Sequence, residues 1–557
     1  VDLIYDAETV GGFNQHHPDF RNLFFGWLDD TTGQIQQSLF DPSAVRVHQV
    51  SVGHNEKYDR KCFRKQFGYE LPLMPYDTSV AVHLIREDLT PRKGYKLETL
   101  SQIMGYPYPN YKELMDFDDP SYAEESLRGL LKLYNRHDLW ATKRLRNVTA
   151  PILKRTGKWP IFQMLMEYLK VLAEVEYRGI QVDEGVHDAF GLEWKQKREK
   201  ALENIEAAGF HCDPEEPQGY SSKELLAFFK RQKVKLPKTS KGNDSAAAEN
   251  LSKIDHPVAK LILELREANK QYGTYYQGFK KKLVDGKYYP DYSLTATVSG
   301  RLGEHFIQVM PRANTSTFKK CIVSKYPGGC LFAIDWAQLE LRIIADVVAA
   351  MTGNDEFAQD AKKKDIHAET LARFSFLPDR TKAKNANFSV YYGGKGWTLC
   401  NLYGFTAAQA EEFRNDILNV RYRSVAEWHL MTEKQILQHG KVRMLTGRER
   451  HTDSFTEGYN GQIQGVGSDF NKIMMIKCEQ RLQKEGVNAH ALADIHDEIV
   501  FDNANETERK EALRLTMDEY RKLPEYFYDY FNYELKMPYE GEAKIGYNLL
   551  EMEKVHV

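Results

Sequence analysis

No CxxC pair, no long apolar run and no block of like charge long enough to be a tail occurs in these 557 residues. The six cysteines (62, 212, 321, 330, 400 and 478) are scattered, which excludes a zinc ribbon or a disulfide framework and reads as reduced, packed thiols. No apolar stretch approaches the roughly 18 residues of a membrane span, so no membrane partner is expected. No signal peptide is expected either, because the chain opens directly on the strand-like Val1-Asp-Leu-Ile-Tyr5. It starts without Met, which leaves room for a trimmed targeting segment, so organellar import stays open beside a cytoplasmic location. Low-complexity segments and solenoid repeats are also missing. With 76 Lys+Arg against 79 Asp+Glu the net charge is −3, which excludes a simple basic coat for nucleic acid. Charge has to be read locally.

What is present is an ordinary globular composition, 42% hydrophobic and 28% charged, over a length that calls for roughly three or four structural units. Residues 1 to about 150 alternate strands (1–5, 22–27, 51–54) with helices (98–104, 126–149), a compact α/β unit. Trp159-Pro160 marks a boundary, followed by an amphipathic helix over 162–177 that closes on Arg178-Gly179. Residues 185–283 read as helical and basic. A long helix begins near Pro257, with Val258, Leu261, Ile262, Leu265 and Ala268 at helical spacing. The positive, turn-prone loop before it, 230–244, is either a solvated loop or a place where a thumb-like projection touches phosphates. The remainder mixes a few strands with many helices.

Two acids in that remainder stand out. Asp335 ends the apolar run Cys330-Leu-Phe-Ala-Ile, and Asp497 sits at a tight turn between the strand-like runs 492–495 and 499–501. Taken singly, each is an ordinary strand-end acid. Together, on two rigid strands, they meet the demand of a two-metal site for phosphoryl transfer, in which the ions stand roughly 4 Å apart. Between them, Arg380, Lys384, Phe388 and Tyr392 recur at i+4 steps and form one stripe on a helix that Gly393-Gly394 ends. Cations at one end of that stripe suit a triphosphate, and aromatic rings at the other suit sugar and base.

The pattern Asp335-x-x-Gln338-x-Glu340-Leu-Arg342, then Arg380-x3-Lys384-x3-Phe388-x3-Tyr392-Gly393, then His496-Asp497-Glu498 resembles the three polymerase motifs of family A DNA polymerases. That family comprises bacterial DNA polymerase I and its phage relatives. The resemblance extends to 295–301, to Asp365-Ile-His367 and to Asn460-Gly-Gln-Ile-Gln464-Gly. It implies that Asp335 and Asp497 bind the metals, with the carbonyl of Trp336 as a further ligand. Arg380, Lys384 and His367 would grip the triphosphate, with Lys384 as the acid for pyrophosphate. Gln338, Phe388 and Tyr392 complete the dNTP pocket, and Glu340 would crowd the 2′ position and exclude ribonucleotides. Phe388, where Tyr would accept them, implies poor use of dideoxynucleotides. Arg301, Gln308, Asn460, Gln464 and His496 would contact primer–template DNA through groove acceptors that every base pair shares. Three departures stand out. Trp336-Ala337 replaces Tyr-Ser and is expected to alter the pocket's shape. Thr456 replaces a frequent arginine, and the segment 301–311 is shorter.

At the other end of the chain, Asp6-Ala7-Glu8 puts two acids on one side of an extended strand. Gly53-His-Asn55-Glu-Lys-Tyr58-Asp59 adds a third. Tyr134-Asn-Arg-His-Asp138 sets a phenol and an acid one helical turn apart. Each alone is weak. In this order they resemble the DEDD-type 3′–5′ exonuclease domain found ahead of family A polymerase domains. That likeness implies metal binding by Asp6, Glu8 and Asp138, Asp59 supporting the second metal through water, and Tyr134 orienting the attacking water. All five positions carry the expected residue, so an active proofreading site is expected rather than a degenerate structural domain.

The expected fold is therefore multidomain α/β and α+β. An RNase H-like exonuclease domain (1–155) precedes a right-hand polymerase (156–557). Its thumb is expected at about 185–285, an antiparallel palm sheet at about 286–350 and 440–557, and helical fingers at about 351–439. The expected cofactor is Mg²⁺, two ions per active site, with Mn²⁺ as substitute. The expected partners are primer–template DNA, dNTPs and replisome proteins such as a helicase, a single-strand binding protein or a clamp. A monomer is expected. With no 5′-nuclease domain expected ahead of the first strand and no room for a processivity insert in the thumb, a compact phage replicative enzyme fits better than a cellular repair enzyme. The alternative is an exonuclease whose polymerase-like half mainly binds primer–template.

Overall fold

The structure is a computed structural model that describes residues 2–12, 14–29, 32–38, 48–89, 94–117, 119–213, 216, 218–236, 238, 243–308, 310 and 317–556. Its first unit is built on a five-stranded mixed sheet. Strands β1 (Asp2–Val10), β2 (Arg21–Asp29) and β3 (Ile35–Ser38) form an antiparallel meander. β4 (Val50–Gly53) and β5 (Met74–Asp77) join in parallel on the other side of β1, giving the order β3-β2-β1-β4-β5. Parallel neighbours need a crossover, which α1 (Glu56–Phe67) supplies between β4 and β5. The second long helix, α2 (Gly129–Arg155), packs across β1 and β2. β1 outruns its expected end at residue 5, because pairing with β2 carries it through both acids to a bulge between Glu8 and Thr9. Ladder formation there overrides the poor strand propensity of acidic residues.

α3 (Trp159–Arg178) is the seam of the molecule. Expected to be amphipathic, it is buried on nearly every side, with Ile161, Met164, Tyr168, Leu172 and Glu176 all inside. The cause is its position between α1 and β5 of the first unit and a long helix of the second. At its end Glu176 accepts from Lys57, from Lys61 at 2.7 Å and from the backbone N–H of Tyr292 at 2.8 Å, so a buried ion cluster joins the two halves.

A small sheet of β6 (Ile180–Gln181), β7 (Leu283–Val284) and β8 (Lys287–Tyr288) closes the base of a helical projection. There α4 (Glu184–Ala207) packs on α5 (Pro257–Asn269), which has Pro257 in its first position as expected and continues as a π-helical turn over Lys270–Gly278. In the basic loop, residues 237 and 239–242 lie outside the described residues, and Lys230 pairs with Asp244 at 2.7 Å.

The second large sheet is antiparallel throughout. β9 (Cys330–Trp336), β12 (Ala489–Ile495), β13 (Glu498–Asn503), β14 (Gly541–Gly546) and β15 (Met552–Val555) stand in the order β12-β13-β9-β14-β15. After β9 the chain turns into α6 (Leu339–Thr352) and then into a cluster of helices that contains α7 (Arg380–Tyr391). A hairpin of β10 (Lys441–Arg443) and β11 (Glu449–His451) follows, and α8 (Phe455–Glu485) then packs behind β12 and against α6 and α3. Among the described residues no helix is long and apolar enough to cross a membrane.

Candidate functional site

Successive side chains of β9 face opposite ways, so Asp335 emerges at the sheet's end while Trp336 turns into the core. Ladder register sets Asp335 opposite Glu498 on β13 and Glu542 on β14. Asp497 lies in the two-residue turn between β12 and β13, where His496 adopts a left-handed φ of 61°. The turn is tighter than expected, because Glu498 already belongs to the strand. Burial first, then the charge of Glu498, pushes the Asp335 carboxyl up to about 6, against the opposing pull of Lys544. Two cations answer this acidic edge. Arg301 lies 3.5 Å from Asp497, and Lys544 lies 2.7 Å from Glu498 and 3.8 Å from Asp335. A cleft of about 410 Å³ opens beside them, lined also by Lys319.

α7 is started by Asp379, whose carboxylate caps the N–H of Lys382. Arg380 donates to Asp365 at 2.7 Å. Lys384 has no acidic partner among the described residues, and its ammonium stands 5.9 Å from the Phe388 ring centroid. Tyr392 caps the helix, its ring stacked on Phe388 with centroids 6.3 Å apart. Burial and the neighbouring Glu340 carboxylate push the Tyr392 phenol up. Gly393, at φ 77°, leaves no room for a side chain, since a Cβ would stand 2.4 Å from the Tyr459 ring. His367 is buried, and its imidazole is lowered to about 4 by that burial and by Arg380 and Lys384, so it offers a hydrogen bond rather than charge. Its Nδ1 lies 3.0 Å from the Asn387 amide. Gln338, exposed and left-handed at φ 55°, forms the elbow between β9 and α6.

Two expectations about DNA and pocket residues change. Asn460 and Gln464 do share one face of α8, with Thr456 one turn earlier. Gln308 is occupied: its amide donates to the carbonyl of Asp494 and accepts from the His496 N–H at 3.4 Å, so it braces the hairpin. The Trp336 ring does not reshape the pocket. It is 6% exposed and packs on Tyr520 with centroids 4.5 Å apart, because strand alternation sends it inward when Asp335 faces out. Of the shortened segment, residues 309 and 311 lie outside the described residues.

In the first unit, Asp6, Glu8, Asp59, Tyr134 and Asp138 converge on one cleft of about 720 Å³. Asp6 is raised to about 6 and Glu8, Asp59 and Asp138 well above the usual carboxylate range, each by burial first and, except at Asp6, by neighbouring acids next. Neutral donors hold them. Asn135 Nδ2 donates to Asp6 at 2.8 Å and to Glu8 at 3.2 Å, the Ala7 N–H donates to Asp59 at 2.9 Å, and the Tyr108 hydroxyl donates to Asp138. The far wall comes from the other unit, through Asp291, Ser293, Thr295 and His305.

Both acid sets are oxygen-only and crowd carboxylates together, with Asp335 raised in one and Asp6, Glu8, Asp59 and Asp138 in the other, the donor chemistry that suits a hard divalent cation. One group of His, Asp and Glu among the described residues already has its ligand atoms within 4.8 Å of one another: Glu87, Asp88 and His451. It belongs to neither acid set. His451 is paired with Glu87 at 2.6 Å and Asp88 with Arg86 at 2.8 Å, so the group clamps β11 to the first unit. Sequence reading missed Asn135, Tyr108 and Lys544. Asn135 adjoins Tyr134 in the motif, which was the one available signal; the other two are brought in from distant segments.

The model of DNA polymerase family A matches residues 191–551. DNA polymerase I of Aquifex aeolicus is 27% identical over 84% of this chain and 83% of its own length. The thermostable DNA polymerase I of Thermus filiformis is 27% identical over 74% of this chain and 51% of its own. That of Helicobacter pylori strain J99 is 28% identical over 92% and 57%. The chain thus spans little more than half of the latter two. Among solved structures, the POL domain of Pol1 from M. smegmatis, in complex with DNA primer-template and dNTP, matches with a TM-score of 0.78. That match covers 98% of this chain and 95% of the other at 19% identity, a likeness of fold. With well over half of its residues matched by the family model, the chain belongs to DNA polymerase family A.

Proposed function

We propose that the protein is a DNA-directed DNA polymerase with its own 3′–5′ proofreading exonuclease, serving phage genome replication. The observation that carries this reading is the pair of separate carboxylate clusters, each opening on its own cleft. Divalent ions (Mg²⁺, with Mn²⁺ as substitute), two at each site, would activate the attacking oxygen and neutralise the leaving one. Asp335, Asp497 and the Trp336 carbonyl would hold them at one site, and Asp6, Glu8, Asp59 and Asp138 at the other.

In the synthetic site the ammonium of Lys384, which has no acidic partner among the described residues, would meet the triphosphate and protonate departing pyrophosphate. Arg380 would exchange Asp365 for phosphate oxygens, and neutral His367 would donate one hydrogen bond. Glu340, beside Tyr392, would close the space that a 2′-hydroxyl needs. Arg301, 3.5 Å from Asp497, Asn460 and Gln464 on one face of α8, and His496 in the hairpin turn would contact primer–template. In the other site Tyr134 would orient water while Asn135 keeps Asp6 and Glu8 together.

A 5′-labelled primer on a longer template with Mg²⁺ tests both halves, run with and without dNTPs. Extension should vanish in Asp335→Ala, and shortening without dNTPs should vanish in Asp6→Ala/Glu8→Ala. Shortening without any extension in the parent protein would leave an exonuclease whose second half clamps DNA.

A further inference from the structure

A buried line of polar side chains joins the end of β9, which carries Asp335, to the end of β12, which leads into the turn that holds Asp497. The Trp336 indole donates from Nε1 to Oδ1 of Asn471 at 3.1 Å. Asn471, on α8, donates from Nδ2 to Oδ1 of Asp494 at 2.7 Å. Asp494 precedes Asp497 by three residues on β12, and its Oδ2 accepts from the Tyr168 hydroxyl of α3 at 2.9 Å. Its carbonyl accepts from Gln308. Trp336, Asn471, Asp494 and Tyr168 are 6%, 1%, 4% and 0% exposed.

Donor chemistry leaves this line a single arrangement. An indole N–H can only donate and a carboxylate only accept, so the Asn471 amide must turn its oxygen to Trp336 and its nitrogen to Asp494. Flipping it would leave the indole N–H and Oδ1 of the Asp494 carboxylate without partners where water does not reach. β9 and β12 are not ladder neighbours, since β13 lies between them. Asp497 sits in the turn beyond the last β12–β13 pair, Ile495 with Glu498. The side chains therefore supply a second connection between the two acids, independent of the ladder. Ligand pairs for metal chemistry tolerate displacements of only about 0.5 Å.

We propose that Asn471 is a positioning residue for nucleotidyl transfer. With Trp336, Asp494 and Tyr168 it sets the placement of Asp497 relative to Asp335, and hence the grip of the pair on divalent ions. The inference rests on the reading of those two acids as metal ligands.

The test uses the full chain carrying Asp6→Ala/Glu8→Ala/Asp138→Ala, so that the other acid cluster does not compete for the probe ion. Mn²⁺ uptake is followed by electron paramagnetic resonance beside single-nucleotide kinetics. Asn471→Leu breaks the line at its centre. Tyr168→Phe removes one hydroxyl at nearly constant shape, and it carries the test if the first variant does not fold. Asn471→Leu should weaken Mn²⁺ binding and lower kcat by about 10-fold each, while KM for the nucleotide holds. Tyr168→Phe should move both in the same direction by less. Unchanged Mn²⁺ affinity and kcat in both variants, with only the melting temperature lowered, would make the line a packing feature and overturn the inference. No Mn²⁺ uptake by the parent would instead remove the metal reading of Asp335 and Asp497, and this inference with it.

Discussion

Gly26 on β2 stands opposite Asp6 in the ladder, and the space its side chain would fill is where Asn135 enters. A Cβ there would lie 1.7 Å from Oδ1 of Asn135. The amide that holds Asp6 and Glu8 together thus depends on a glycine from a different strand.

Gly26→Ala should push Asn135 off both acids and cut primer shortening by about 10-fold or more, the scale on which loss of a metal-supporting contact is felt. Extension by the distant second site should persist. Shortening of a labelled primer without dNTPs at the wild-type rate would refute this role for Asn135.

The acid cluster of the first unit should make metal-free protein less stable as pH rises. Asp6 is raised from 3.8 to about 6 and Glu8, Asp59 and Asp138 are raised well above the usual carboxylate range, so the folded chain holds protons that the unfolded chain releases. Stability from these groups is present below the ordinary carboxylate range and falls as pH climbs through about 6 and beyond. In calorimetry without metal, Asp6→Asn/Glu8→Gln should therefore gain melting temperature over wild type at neutral pH and lose that advantage near pH 4. Mg²⁺ should stabilise wild type more than the variant. A gain that does not depend on pH would show that the acids are not strained against each other.

The nucleotide pocket is open to two substitutions. On the proposed role of Glu340, Glu340→Ala should raise ribonucleotide incorporation, because removing the carboxylate beside Tyr392 would open the 2′ space. Phe388→Tyr should raise dideoxynucleotide incorporation by supplying a hydroxyl where the incoming sugar lacks its own. Single-nucleotide kinetics with each sugar decide both, and an unchanged sugar preference removes the assignment concerned.

Lys57→Met should destabilise the protein by about 3 kcal/mol, the lower end of what breaking a buried ion pair costs. It leaves Glu176 with Lys61 as its one remaining ammonium partner beside the Tyr292 N–H, and the Tyr292 carbonyl without the Lys57 ammonium. Urea unfolding followed by probes in each half should show both halves weakened together. Loss confined to the first unit would mean that the seam does not couple them.

Much of the site follows from local periodicity. The stripe Arg380–Lys384–Phe388–Tyr392 is set by the helical repeat, and the shared side of Asp6 and Glu8 by strand alternation, both properties of the backbone that a short run of residues carries whole. The hairpin tip at Asp497 is equally local. For the same reason the ends of elements went astray where pairing decided them, as in β1 running on through its acids.

What the tertiary structure alone decided is which distant groups answer those residues. Nothing near Lys544 in sequence says that β14 lies beside β9 and carries its ammonium to Glu498. Gln308 looks available until the hairpin backbone is found against it, and Trp336 looks like a pocket residue until the core receives its ring. Asn471 and Asp494, 23 residues apart, meet only because α8 packs behind β12. Which types of group sit at each spacing is written in the chain. Which of them touch depends on register and packing between segments far apart, where no local periodicity reaches.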